Sequence, residues 1–206
     1  RAAEVSKEMK EFRTKQFKTF IEECNLDNQR ILEIGCGRGE YLKIMERLNN
    51  SSYGLEFSKE AVDYCIKQNL KVTEGYIEKE DHKIKYGPFK AFFILNFLEH
   101  LPNINTVLRG IYNNLTEDGV GLVEVPNFDM ILEKKLFSEF MNDHLFYFTE
   151  STLRKVLSIN GFEVINCSSV WYDYMISATV RKIQKMQIDE FHVHQNYIKA
   201  DIETYI

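Results

Sequence analysis

The residues able to do chemistry fall into a few groups along this 206-residue chain. In Ile31-Leu32-Glu33-Ile34-Gly35-Cys36-Gly37-Arg38-Gly39 an apolar strand pattern breaks into alternating glycines. Gly35, Gly37 and Gly39 let the backbone turn tightly and come close to a ligand. A helix opening at Gly39-Glu40-Tyr41-Leu42 leaves unpaired N–H groups beside that turn. Next comes Gly54-Leu55-Glu56-Phe57-Ser58, an apolar strand ending in a carboxylate that can accept both hydroxyls of a ribose. Together these segments predict a nucleoside ligand. Further on, Asn142-Asp143-His144-Leu145-Phe146-Tyr147-Phe148-Thr149 holds the best general base in the chain, His144, which can be neutral near pH 7. Asp143 is placed to orient that imidazole or raise its pKa, and Tyr147 adds a hydroxyl.

The elements that must position these groups alternate. An amphipathic helix is predicted over Val5 to Glu23, with Met9, Phe12, Phe17, Phe20 and Ile21 at helical spacing. Arg13 on it is either solvated or a partner for a ligand carboxylate. Helix follows strand from Lys59 to Gln68, then a short strand over Lys71 to Tyr76, a charged connector from Glu78 to Lys85, and an apolar buried strand from Phe89 to Asn96. A helix over Asn103 to Leu115 follows Pro102, and Thr116-Glu117-Asp118-Gly119 reads as its stop before the strand Val120 to Val125. The aromatic-rich stretch Asn127 to Phe148 breaks the rhythm and reads as an insertion covering the ligand edge of the sheet. A helix capped by Thr149 and Thr152 and ending near Asn160-Gly161 leads to strands over Phe162 to Val170 and Tyr174 to Arg181. From Lys182 the composition turns charged and aromatic, a pattern of a helix leaving the domain.

Glu33-Ile34-Gly35-Cys36-Gly37-Arg38-Gly39 resembles motif I of class I S-adenosylmethionine-dependent methyltransferases, E/D-x-G-x-G-x-G. In a dehydrogenase fingerprint the third glycine lies three residues after the second, and Glu40 here would face a pyrophosphate. A cationic sulfonium ligand without phosphate removes that conflict. The resemblance runs from Leu32 to Lys182. It implies a Rossmann-like α/β fold with a seven-stranded, mostly parallel sheet, an antiparallel last strand and helices on both faces. It also implies S-adenosyl-L-methionine across the carboxyl ends of the first four strands. The residues it assigns to the cofactor are Glu33, Gly35, Cys36, Gly37, Gly39 and Tyr41 at the first strand, Glu56 and Phe57 at the second, Tyr76 and Ile77 at the third, and Asn96 and Phe97 at the fourth. Glu99-His100 is similar to an E-H signature after the fourth strand of small-molecule methyltransferases, some of which bind a divalent metal there. Those relatives carry a carboxylate where Asn96 stands, so no metal is expected and His100 is assigned a structural role. Residues 142–149 resemble the E-H-x-x-Y-F-(S/T) segment of sugar C-methyltransferases, whose histidine, helped by a glutamate and a tyrosine, removes a proton from the carbon next to a ketone. His144 matches that histidine and Asp143 replaces the glutamate, while Met141 stands where the family has tyrosine.

The expected organisation is a helical cap over 1–27, a methyltransferase domain over 28–182 and a helical extension over 183–206, serving either oligomerisation or a further domain. With 44% hydrophobic residues the chain can bury a core. The net charge of −5, with lysines scattered, disfavours nucleic acid as partner. Four dispersed cysteines suggest neither disulfide frame nor zinc site, and His192 and His194 lack a third ligand nearby. No apolar run suits a membrane span and no leader pattern opens the chain, which begins at Arg1, so a trimmed, soluble cytoplasmic protein is expected. The predicted activity is methyl transfer to a small molecule, a sugar or sugar nucleotide, with His144 as base. The alternatives are O-methylation of a quinone-like or other hydroxylated metabolite, and a non-catalytic scaffold of the same fold.

Overall fold

The computed structural model describes residues 6–48 and 50–183. The strands are β1 Arg30–Ile34, β2 Ser51–Glu56, β3 Val72–Glu74, β4 Phe89–Leu95, β5 Leu115–Pro126, β6 Phe162–Val170 and β7 Met175–Lys182. They form one seven-stranded sheet in the order β3-β2-β1-β4-β5-β7-β6. Pairing is parallel from β3 through β5, while β7 runs antiparallel to both β5 and β6. The chain winds outward from β1 to β3 and then returns to β4 on the other side of β1. That reversal opens a crevice at the carboxyl ends of β1 and β4, the place where open α/β sheets bind ligands.

Helices cover both faces, which is why the central strands are apolar without a break. Along β4, Ala91 and Phe93 enter one core with Phe17, Phe20 and Ile21 of α1 (Lys7–Cys24) and Leu42 and Met45 of α2 (Glu40–Arg47). Phe92 and Ile94 enter the other, with Val107, Leu108 and Ile111 of α4 (Ile104–Asn113) and Leu153 and Leu157 of α6 (Glu150–Ile159). Each such fully buried side chain contributes about 1.5–3 kcal/mol relative to exposure. Gly121 on β5 makes room for one of them, since a Cβ there would lie 2.0 Å from Phe92 Cε1. The helix after β2, α3 (Lys59–Lys67), is capped by Ser58, whose hydroxyl accepts from Ala61 N–H. Thr149 and Thr152 close a reciprocal capping box at the start of α6, as their types suggest.

Departures from the sequence reading have physical causes. Thr116-Glu117-Asp118-Gly119 lies within β5 as a bulge, because Leu115 pairs with Phe89 while Val120 pairs with Ala91. Lys90 closes that bulge on Asp118, and its hydrogen bond holds the Asp118 carboxyl below the usual range. Arg13 is not solvated: it is fully buried against Glu124 of β5, with Gln16 bonded to the other carboxylate oxygen. The helix expected after Lys182, with His192 and His194, lies outside the described residues. Among the described residues no helix is long and apolar enough to cross a membrane.

Candidate active site

The turn after β1 has the backbone its glycines predict, with φ of 71° at Gly35, 51° at Gly37 and 73° at Gly39. Space is as decisive as dihedral angle at Gly35, where a Cβ would lie 2.5 Å from the ring of Phe97, which rests on the turn. Glu56, at the end of β2, ties the neighbouring strand to this turn. Its Oε2 accepts from Gly37 N–H at 2.9 Å and its Oε1 from Ser58 N–H at 2.7 Å. The carboxylate remains half-exposed and keeps lone pairs for further donors.

Beside the turn lies a cleft of about 360 Å³, lined in part by Gly35, Leu55, Phe57, Tyr76, Ile77 and Phe97. Phe57 and Tyr76 meet edge to face, centroids 5.5 Å apart, and both stand largely exposed on its rim. The far wall, Leu101, Pro102, Asn103 and Val107, was missed in the sequence. Pro102 is the signal that could have found it, since it lies just before the cap of α4 at the same sheet edge. Of the residues expected at the cofactor, Glu33, Cys36, Gly37, Gly39, Tyr41, Glu56 and Asn96 are not part of the cleft lining. Cys36 is buried against Cys65, and that thiol contact, more than burial, raises its pKa while lowering that of Cys65. Tyr41 packs edge-on against Phe17 at 6.2 Å, with the Arg13 guanidinium 5.3 Å from its ring centre.

At the carboxyl ends of β1 and β4 two acceptors stand without partners, Glu33 Oε2 and Asn96 Oδ1, both buried. Burial, then the Glu40 carboxylate, pushes the Glu33 carboxyl well above its ordinary value. Asn96 holds a left-handed φ of 49°, a strained conformation of the kind that collects at ligand sites. Unpaired acceptors beside a glycine turn suit a cationic amino group, and the half-free Glu56 suits a ribose, so the residues present fit S-adenosylmethionine.

The insertion covers the neighbouring edge. It contains α5 (Phe128–Glu133) and a 3-10 turn at Phe137–Glu139, and it is pinned where Leu145 and Phe146 N–H groups donate to the Glu99 carbonyl at 2.9 and 3.2 Å. This brings His144 edge to face with His100, centroids 4.7 Å apart, and His100 lies 6.3 Å from the Phe97 ring. Asp143 pulls the His144 pKa upward, the direction expected of it, but does not set the net shift. Its carboxylate lies 3.6 Å from His100 Nδ1, and burial followed by His100 lowers the His144 pKa despite the opposing pull of Asp143 and Glu139. Tyr147 packs on Phe128 and Phe140 and its hydroxyl accepts from Met141 N–H at 3.0 Å, so it closes the loop at the position where the sugar C-methyltransferases carry tyrosine. Glu99 is buried, and burial pushes its carboxyl up to about 7.

Sheet order, crevice and glycine turn define a class I S-adenosylmethionine-dependent methyltransferase. The methyltransferase domain model matches residues 3–166, and the chain belongs to that family. It is 21% identical over 143 residues to the C-methyltransferase NovU of Streptomyces niveus, covering 68% of this chain and 34% of that relative; the chain thus spans about a third of that protein's length. Its fold resembles a SAM-dependent methyltransferase from Aquifex aeolicus (TM-score 0.64, 15% identity, 81% of this chain and 89% of that one). It also resembles magnesium protoporphyrin IX methyltransferase from Synechocystis with bound SAH (TM-score 0.64, 14% identity, 84% and 83%).

Proposed function

We propose that this domain methylates a small molecule, a sugar or sugar nucleotide, and that His144 is the base that takes the acceptor's proton. When bound, S-adenosylmethionine supplies a methyl group on a cationic sulfur, already activated for displacement, so the chain's own tasks are alignment and proton removal. Glu56 takes the ribose hydroxyls, Phe57 and Tyr76 flank the base, and Glu33 and Asn96 accept from the amino group. Gly35, Gly37 and Gly39 keep the backbone close, while Phe97 and Ile77 shape the cleft wall. The observation that carries the catalytic part is the position of His144, held on the cover and joined to Phe97 through His100. Its lowered pKa keeps the imidazole unprotonated at neutral pH, free to accept a proton. The sugar class is supported by the resemblance of residues 142–149, and carbon as the methylated atom by the similarity to a C-methyltransferase.

The same base serves O-methylation of a hydroxylated metabolite, and Met141 in place of tyrosine favours keeping that reading. The test is formation of S-adenosylhomocysteine across a panel of nucleotide sugars and hydroxylated metabolites. His144→Ala is expected to slow turnover on the active substrate and leave cofactor affinity unchanged. Wild-type rates in that variant would remove its role, and cofactor binding with no turnover on any substrate would favour a scaffold.

A further inference from the structure

Two free thiols meet beneath the glycine turn. Cys36 belongs to the turn and Cys65 to the inner face of α3, and both are buried. Their sulfurs converge on one atom: Cys65 Sγ lies 3.4 Å from the Gly37 carbonyl oxygen and Cys36 Sγ 4.0 Å from it. Two glycines leave room for them. A Cβ at Gly54 would lie 2.4 Å from Cys36 Sγ, and one at Gly39 would lie 3.3 Å from Cys65 Sγ. Cys36 donates to Cys65, which raises the pKa of Cys36 and lowers that of Cys65, so Cys65 is the thiol that ionises. Next to Cys36 along the chain, Gly37 is half-buried and Arg38 exposed, so the pair lies close under the surface. Neither thiol lines the cleft, and the proposed function leaves both without a task.

We infer that Cys36 and Cys65 form a reversible oxidation site, at which hydrogen peroxide closes a disulfide that weakens cofactor binding. The Cys65 thiolate attacks one peroxide oxygen. An S–O bond forms, the O–O bond breaks, and the hydroxide that leaves takes up the proton Cys65 had lost, giving water. Cys36 then attacks the sulfenic sulfur. The S–S bond forms, the S–O bond breaks, and the oxygen leaves with the Cys36 proton as a second water. Two electrons pass from the thiols to the peroxide. The new bond draws the sulfurs to about 2.05 Å, and α3 is anchored by buried Val62 and by its Ser58 cap, so the movement falls on the turn. Cys65 no longer donates to the Gly37 carbonyl, and Gly37 N–H leaves its place on Glu56 Oε2. Glu56 thereby loses a donor that fixes it. The consequence for the cofactor rests on the ribose reading of Glu56 and is independent of His144. Coupling is reciprocal, so a cofactor that prefers the dithiol protects the dithiol by the same factor.

The experiment treats the protein with hydrogen peroxide, alkylates the remaining thiols and reads the peptides by mass spectrometry. A peptide linking Cys36 to Cys65 is expected, with Cys24 and Cys167 alkylated. Calorimetry with S-adenosylhomocysteine is expected to show binding weakened about tenfold or more after oxidation and recovered with dithiothreitol. Cys65→Ser keeps a donor for the Gly37 carbonyl, so it should bind as the wild type does and ignore peroxide. Titration of the wild type against glutathione reads the coupling without any substitution. Saturating S-adenosylhomocysteine should raise the midpoint potential by about 30 mV for a tenfold preference. Peroxide treatment that leaves Cys36 and Cys65 both alkylated overturns the site. Linked protein that binds S-adenosylhomocysteine at full strength, or a midpoint that the ligand does not move, overturns its effect on the cofactor. Turnover of the fully reduced protein tests the proposed function separately, so each reading can fail while the other stands.

Discussion

Replacing Glu56 by alanine tests the cofactor assignment most directly. The carboxylate accepts from Gly37 N–H at 2.9 Å and Ser58 N–H at 2.7 Å, and it keeps lone pairs directed to neither. A hydrogen bond to a charged group contributes about 1.5–3 kcal/mol, so loss of the ribose contact should weaken cofactor binding by roughly 10- to 150-fold. The same substitution strips two amides of a charged acceptor, but the position is half-exposed and water replaces much of it. A stability loss of about 1–3 kcal/mol, or a melting-temperature drop of roughly 2–10 °C, follows for a domain of this size. Glu56→Gln, which keeps one acceptor oxygen, should fall between wild type and alanine in both respects. Calorimetric titration with S-adenosylhomocysteine, below the variant's melting point, measures the affinity. A folded Glu56→Ala that binds within twofold of wild type would refute the ribose assignment. It would also leave Glu56 as only a brace between the glycine turn and α3.

Two further predictions concern stability. Arg13→Ala leaves Glu124 as an uncompensated buried charge and should cost about 3–5 kcal/mol by urea denaturation, whereas the double change Arg13→Met with Glu124→Leu should recover most of that loss. Glu33 predicts a pH dependence. Its folded pKa is raised by burial, Glu40, Cys65 and Glu56, against the pull of Arg13, so the folded state holds the proton more tightly than the unfolded one. Stability should therefore fall as pH rises from the ordinary 4.5 towards the raised value, and Glu33→Gln should abolish that fall in melting temperatures compared between acid and mildly alkaline buffer.

The parts of the site legible in the sequence are those made by neighbours along the chain. Gly35, Gly37 and Gly39 announce their own φ angles, and Glu56 ends its strand where a ribose carboxylate belongs. Even the bond from Glu56 to Gly37 follows from two adjacent parallel strands. The acceptor side was less legible because it is assembled from distant pieces. Nothing near His144 announces Glu99 or His100, which lie more than forty positions earlier in the chain. Helical spacing placed Arg13 as a surface charge, since periodicity carries no information about what a helix meets. The overlooked clue was Glu124, a carboxylate inside the apolar run Val120 to Val125, which a buried strand tolerates only with a cation beside it. The bulge at Thr116 to Gly119 was misread because turn residues mark a bulge and a helix stop alike.

The position of β7 between β5 and β6 bears on how the chain is made. β6 leaves the ribosome first but has no neighbour in the sheet until β7 follows, because β6 pairs only with β7. β5 likewise waits with one edge unpaired until Met175 to Lys182 are available. Ribosome-bound chains stalled before Lys182 should therefore carry two unsatisfied strand edges at once, and the completed stretch from Met175 to Lys182 pairs both in a single event.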